Sequence, residues 1–120
     1  IKIYYAHPCN FYGTKLEKED IQTLTDLGFL VENPGSMFHQ EVVSAIPNSG
    51  MLYFYKLLDM CNALAFRTTE TGKLTAGVAA ELEYAIKARL LIIQLPTTEQ
   101  FQKLTIKETK EYLKGYENEY

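Results

Sequence analysis

The sequence predicts a small α/β domain, a doubly wound parallel sheet with helices on both faces. Two observations carry this. Short β-branched and aromatic runs alternate with segments of helical periodicity, in the order β-α-β-α-β-α-β-α, and such alternation implies parallel strands joined by right-handed crossovers. The strand candidates also end in turn residues, as where the continuous apolar run Leu90–Leu95 is closed by Pro96.

Taken in order, Ile1–Ala6 (IKIYYA) reads as a strand stopped by His7-Pro8, and residues 7–14 (HPCNFYGT) as a loop. Lys15 to Leu27 places Leu16, Ile21, Leu24 and Leu27 near helical spacing, and Gly28 suits the position after the C-cap. Phe29–Val31 is the second strand, ended by Asn33-Pro34-Gly35. Ser36 is placed to cap a helix to about Ala45, which Pro47-Asn48-Ser49-Gly50 interrupts. Met51–Met60 is apolar nearly all round and predicts a buried helix. Ala63–Phe66 is the third strand and residues 67–76 a polar loop. Gly77–Ala88 is a helix, Leu90–Leu95 the fourth strand, 97–104 a loop or helical turn, and Ile106–Leu113 the last helix. Ligands of such sheets bind beyond the carboxyl ends of the strands, here the loops after Ala6, Val31 and Phe66.

Composition narrows the function classes. The 120 residues fit one domain over 1–120, and 47% hydrophobic content supports a packed core without disulfide staples. The net charge of −3, with no basic run, argues against nucleic-acid polymers and anionic membranes as partners. Cys9 and Cys61 do not form a disulfide framework, so a reducing cytoplasm is expected. No apolar stretch approaches the ~18 residues that span a bilayer. There is no G-x-G-x-x-G after the first strand, and Gly72-Lys73 lacks the Ser or Thr and the leading Gly of a P-loop. Cys9 follows the first strand as in small tyrosine phosphatases, but Lys15 stands where an Arg fork is needed. His7, Cys9, His39 and Cys61 lack zinc-site spacing, and read as a loop histidine, a surface histidine and two free thiols.

Residues 75–96 carry the most chemistry. On a helical wheel Val78, Leu82, Ala85 and Ile86 form the buried stripe, and Glu81 lies on its flank. Glu83 points elsewhere, with Lys87 four residues on as a solvated partner. Glu81 is expected in the first turn or so, where the helix dipole favours an ionised carboxylate. An anionic carboxylate beside a cleft suits attack on an anomeric carbon. The ordinary stabilising role of acids in first turns is the competing reading.

The segment Gly77-Val78-Ala79-Ala80-Glu81-Leu82-Glu83-Tyr84-Ala85 resembles the G-x-G-x-E-L-G-x-A motif of the nucleoside 2-deoxyribosyltransferases and their nucleotide N-glycosidase relatives. The resemblance implies a flavodoxin-like or Rossmann-like sheet and a nucleophilic Glu81. It also implies a supporting tyrosine at the end of the first strand, Tyr4, with Tyr5 possible. Ala79 and Glu83 replace glycines, Asn62 or Leu64 falls where the family has Asp, and Thr75 replaces an Asp near the sugar 5′ position. The reaction implied is cleavage and transfer of the N-glycosidic bond of a (deoxy)nucleoside, with no metal or organic cofactor. The loop His7–Asn10 would line the base pocket and Thr75 would touch the 5′ group, with Gly77 beside them. A nucleotide or NAD-like N-glycosidase and a non-catalytic nucleotide-binding module are the alternatives. A homodimer or larger homo-oligomer is implied as well. Tyr112, Tyr116 and Tyr120 share one helical face, which could serve that assembly or pack on the chain's own sheet.

Overall fold

The computed structural model describes residues 1–46, 48–97, 99–101 and 106–115. Strands are β1 (Lys2–Ala6), β2 (Leu30–Glu32), β3 (Ala63–Phe66), β4 (Leu91–Gln94) and β5 (Glu99–Gln100). Helices are α1 (Lys15–Asp26), α2 (Met37–Ala45), α3 (Leu52–Asp59), α4 (Ala76–Lys87) and α5 (Ile106–Lys114), with a 3₁₀ turn at Cys9–Phe11. The sheet order is β2-β1-β3-β4-β5. The first four strands are parallel, and the two-residue β5 runs antiparallel along β4. The doubly wound α/β class expected from the sequence is the observed one.

β1 and β3 are central and covered on both sides, so Ile3–Ala6 and Ala63–Phe66 are fully buried. The period-2 alternation sorts them into two cores. Tyr4, Ala6, Leu64 and Phe66 join Leu57 and Leu58 of α3 and Val78, Leu82 and Ala85 of α4. Ile3, Tyr5, Ala63 and Ala65 join Leu24 of α1 with Ile93 and Leu95. Adjacent β1 residues therefore enter opposite layers.

The helix starts are local. Thr14, Ser36 and Thr75 each accept a hydrogen bond from the backbone N–H three residues on, at 3.3, 3.3 and 3.4 Å. Gly28, at φ 95°, takes the left-handed conformation that ends α1.

Three expectations need correction. β2 is Leu30–Glu32 rather than Phe29–Val31. It lies at the sheet edge, where Leu30 is exposed and burial does not fix its ends. α3 is not a buried helix: only Leu57 and Leu58 are buried, while Leu52 faces solvent because one side of the helix meets the sheet. Within 97–104, residues 99–100 form a strand; 98 and 102–105 lie outside the described residues, as does Pro47 in the predicted break after α2. Of the two readings of the tyrosine face, Tyr112 takes the inward one, packing against Phe101 with ring centroids 5.6 Å apart, while Tyr116 and Tyr120 lie outside the described residues. Among the described residues no helix is long and apolar enough to cross a membrane.

Candidate active site

The site begins with two neighbouring tyrosines. Tyr4 points into the α3/α4 layer, where its hydroxyl donates to Glu81 Oε2 on α4. Tyr5 points into the α1 layer and donates to Asp20 Oδ2 at 2.5 Å. Of the two, Tyr4, to which the resemblance gives the supporting role, is the one hydrogen-bonded to Glu81, whereas Tyr5 serves Asp20.

Glu81 borders a cleft of about 270 Å³ at the carboxyl end of β1. His7, Cys9 and Tyr12 come from the loop after β1, and Gln40 and Val43 from α2. Gly50, Met51 and Phe54 come from the start of α3, and Gly77 and Glu81 from α4. A shallower depression of about 530 Å³ along α2, between Met37 and Ala45, shares Gln40 with it. Glu81 is 6% exposed. Burial pushes its carboxyl up to about 8, against the opposing effect of the Tyr4 hydrogen bond. The expectation of a dipole-held anion is thus corrected. α4 starts at Ala76, so Glu81 sits in its second turn, and loss of water outweighs the fading dipole. Burial raises the Tyr4 and Tyr12 phenols and the Cys9 thiol. The Cys9 shift favours the thiol over the thiolate, which makes Cys9 a poor nucleophile.

On the other face Asp20 has a counterion. Arg67, directly after β3, donates through Nε to Oδ2 at 2.7 Å and through Nη2 to Oδ1 at 2.8 Å. This is a bidentate fork, closed by the Tyr5 hydroxyl.

His7 is neither a loose loop histidine nor free to bind a ligand through its ring nitrogens. It is 1% exposed and stacks on Tyr5 with centroids 3.7 Å apart. Nδ1 lies 2.9 Å from the Tyr5 carbonyl oxygen, and Nε2 lies 2.8 Å from Glu17 Oε2. Burial pushes the ring's pKa down. His7 does line the cleft, as does Gly77, whereas Asn10 is exposed and does not. Thr75 is buried as the cap of α4 and is not among the cleft residues; its hydroxyl meets Val78 N–H. His39 is not a surface histidine. Its Nε2 meets Glu32, which also binds Lys2 Nζ at 2.9 Å, and its Nδ1 meets the Tyr53 hydroxyl at 2.6 Å. Among the described residues no group of three or more His, Cys, Asp or Glu side chains is placed to hold a metal.

The reading of α1 missed Glu17 and Asp20, which are buried. The signal was present: Glu17, Asp20, Ile21 and Leu24 are spaced on one helical face, so two acids share the inner face with two apolar residues. Tyr12 was missed too. Its ring lies so close to Gly35 that a Cβ there would sit 2.6 Å from it.

Comparison with models of known protein families, with curated proteins and with solved structures found no match.

Proposed function

We propose that this protein cleaves and transfers the N-glycosidic bond of (deoxy)nucleosides through a covalent glycosyl intermediate on Glu81. The observation that carries the reading is a buried carboxyl with a tyrosine donor, bordering a cleft at the carboxyl ends of the strands. Such a carboxyl is poised between protonation states near neutral pH. In its ionised form, Glu81 attacks C1′. The C1′–N bond breaks and its electron pair leaves with the base, which takes up a proton. A ring nitrogen of a second base, or water, then attacks C1′ and releases the carboxylate, giving up the proton that balances the one the first base took from solvent. Tyr4 orients Glu81 and stabilises its anion. The positive charge that develops on the sugar in each transition state favours the ionised carboxylate beside it.

A neutral nucleoside fits better than a 5′-monophosphate, because none of the described cleft residues is Lys or Arg, and Glu81 itself opposes a phosphate. The same proposal includes a homo-oligomer, consistent with exposed Met37, Phe38, Ile46 and Leu52 around α2 and α3. The test is incubation with a deoxynucleoside and a different free base, followed by chromatography. New nucleoside supports the transferase and free base alone a hydrolase. Neither product, with binding retained, leaves a binding module. A 2-fluoro-arabinosyl nucleoside is expected to add its sugar mass to the peptide that contains Glu81.

A further inference from the structure

The loop after β1 supplies Cys9 and Tyr12 to the cleft, and its anchoring is unusual. A backbone carbonyl only accepts, so His7 Nδ1, 2.9 Å from the Tyr5 oxygen, carries a proton and donates. In a neutral ring Nε2 is then a bare lone pair, 2.8 Å from Glu17 Oε2. Two acceptors do not face each other in a buried site without repulsion. One further proton therefore lies between Nε2 and Oε2. The other carboxyl oxygen, Oε1, accepts from the Gly13 backbone N–H at 3.1 Å, and Glu17 N–H bonds the Thr14 hydroxyl at 3.3 Å. Glu17 is 7% exposed. A side chain of α1 thus ties the end of β1 to the far end of the loop, and Tyr12 between them leans on the His7 ring with centroids 4.9 Å apart. The His39 arrangement needs no such proton: Nε2–H can donate to Glu32 while Nδ1 accepts from the Tyr53 hydroxyl.

We infer that His7 and Glu17 form a clasp sharing one proton, a positioning pair that holds residues 8–14 and the Cys9–Tyr12 wall against the Glu81 cleft. Its consequence for turnover rests on the proposed reaction; the clasp itself does not.

Glu17→Gln separates hydrogen bonding from the shared proton. The Gln carbonyl still accepts from Gly13 N–H, and its amide now donates to Nε2 of a neutral His7. Glu17→Leu removes both bonds. Hydrogen exchange of the 8–14 peptide, with α1 residues 20–26 as the internal reference, reads the loop. Loop protection is expected to stay within about twofold of wild type in Glu17→Gln and to fall by about 10- to 100-fold in Glu17→Leu, the range for losing a buried charge-assisted bond. ¹⁵N spectra of the His7 ring, assigned with a His39→Gln variant, are expected to show Nδ1 protonated in wild type and Glu17→Gln. Nε2 should become a plain acceptor only in Glu17→Gln. The inference is overturned if Glu17→Leu keeps wild-type protection, if Glu17→Gln loosens the loop as much as Leu does, or if Nε2 looks the same in wild type and Glu17→Gln. Should Glu17→Leu also loosen residues 20–26, the ring-nitrogen comparison decides. In the reaction, a loosened loop is expected to raise KM at least tenfold more than it lowers kcat. Intact exchange behaviour without turnover in any variant would sink the reaction and leave the clasp standing.

Discussion

Tyr4 and Tyr5 are neighbours that each donate to a buried carboxyl on a helix, yet the two pairs do different work. Asp20 receives a bidentate Arg67 fork in addition to Tyr5, so its charge is compensated where it sits. Glu81 has Tyr4 and a cleft, and burial is the dominant influence on it. The Asp20 cluster ties α1 to the ends of β1 and β3, while burial leaves Glu81 in a state that costs stability, the environment expected of a candidate functional carboxyl. A compensated carboxylate is a bolt; an uncompensated one beside a cavity is a candidate nucleophile.

The sharpest way to break this comparison is Glu81→Gln. Turnover of a deoxynucleoside is expected to fall by on the order of 10³-fold or more, with circular dichroism unchanged. The pH dependence should change with it. With the Glu81 carboxylate as the proposed nucleophile, wild-type kcat/KM is expected to rise with pH towards about 8. Stability should run the other way. The folded carboxyl titrates near 8, above its unfolded value of about 4.3. Its favourable contribution is therefore complete below the unfolded value and is lost as pH rises through the folded one. Thermal melts from pH 5 to 9 should show Glu81→Gln gaining on wild type as pH rises. Parallel melt curves would mean that Glu81 is ionised throughout and that its burial costs little.

Arg67→Met tests the bolt. It leaves Asp20, 6% exposed, as a buried charge without its cation, and about 3 kcal/mol of stability should be lost in urea titration. A loss below about 0.5 kcal/mol would place the pair in the class of solvated bridges and undo the contrast.

The tyrosines sharpen the comparison with a smaller perturbation. Tyr4→Phe removes the hydrogen bond that favours ionised Glu81, so the rising limb of kcat/KM should move above its wild-type position and kcat/KM at neutral pH should fall by about 10- to 100-fold. Tyr5→Phe should cost about 1.5 kcal/mol of stability and leave the limb where it was. If both variants move the limb equally, the two faces are coupled and the division of roles fails.

The sequence disclosed these regions unequally for physical reasons. Strand and helix alternation and the Ser36 cap follow from local periodicity and short-range chemistry and were legible, whereas the pairing of Tyr4 with Glu81 was suggested only by the family resemblance. Glu81 was legible as a position, but not as a protonation state, because its pKa depends on how much water the surrounding chain excludes. Asp20–Arg67 spans 47 residues and Tyr4–Glu81 spans 77, and no local pattern states such separations. Thr75 shows how a residue can be found and misassigned: its place before α4 was visible, but capping turns its hydroxyl to Val78 N–H. The cleft wall from Val43, Met51 and Phe54 is tertiary packing and left no mark beyond apolar composition.

A third carboxylate completes the set, with the smallest expected effect. Glu83 lies two residues from Glu81 on α4, so a generic need for negative charge on this helix would be met by either. Two positions along a helix is about 200° around it, and that rotation carries Glu83 out of the core to the surface. There it pairs with Lys87 Nζ at 3.2 Å, with side chains 51% and 75% exposed. Water screens both charges and the lysine has other conformations to occupy, so the pair is worth no more than about 0.5 kcal/mol. Glu83→Gln should leave the melting midpoint within about 2 °C and kcat/KM within about twofold, and the rising limb of the pH profile should not move. A large loss of turnover in Glu83→Gln, with Glu81→Gln still active, would reverse the two assignments and put the nucleophile on the side of the helix that faces away from the cleft.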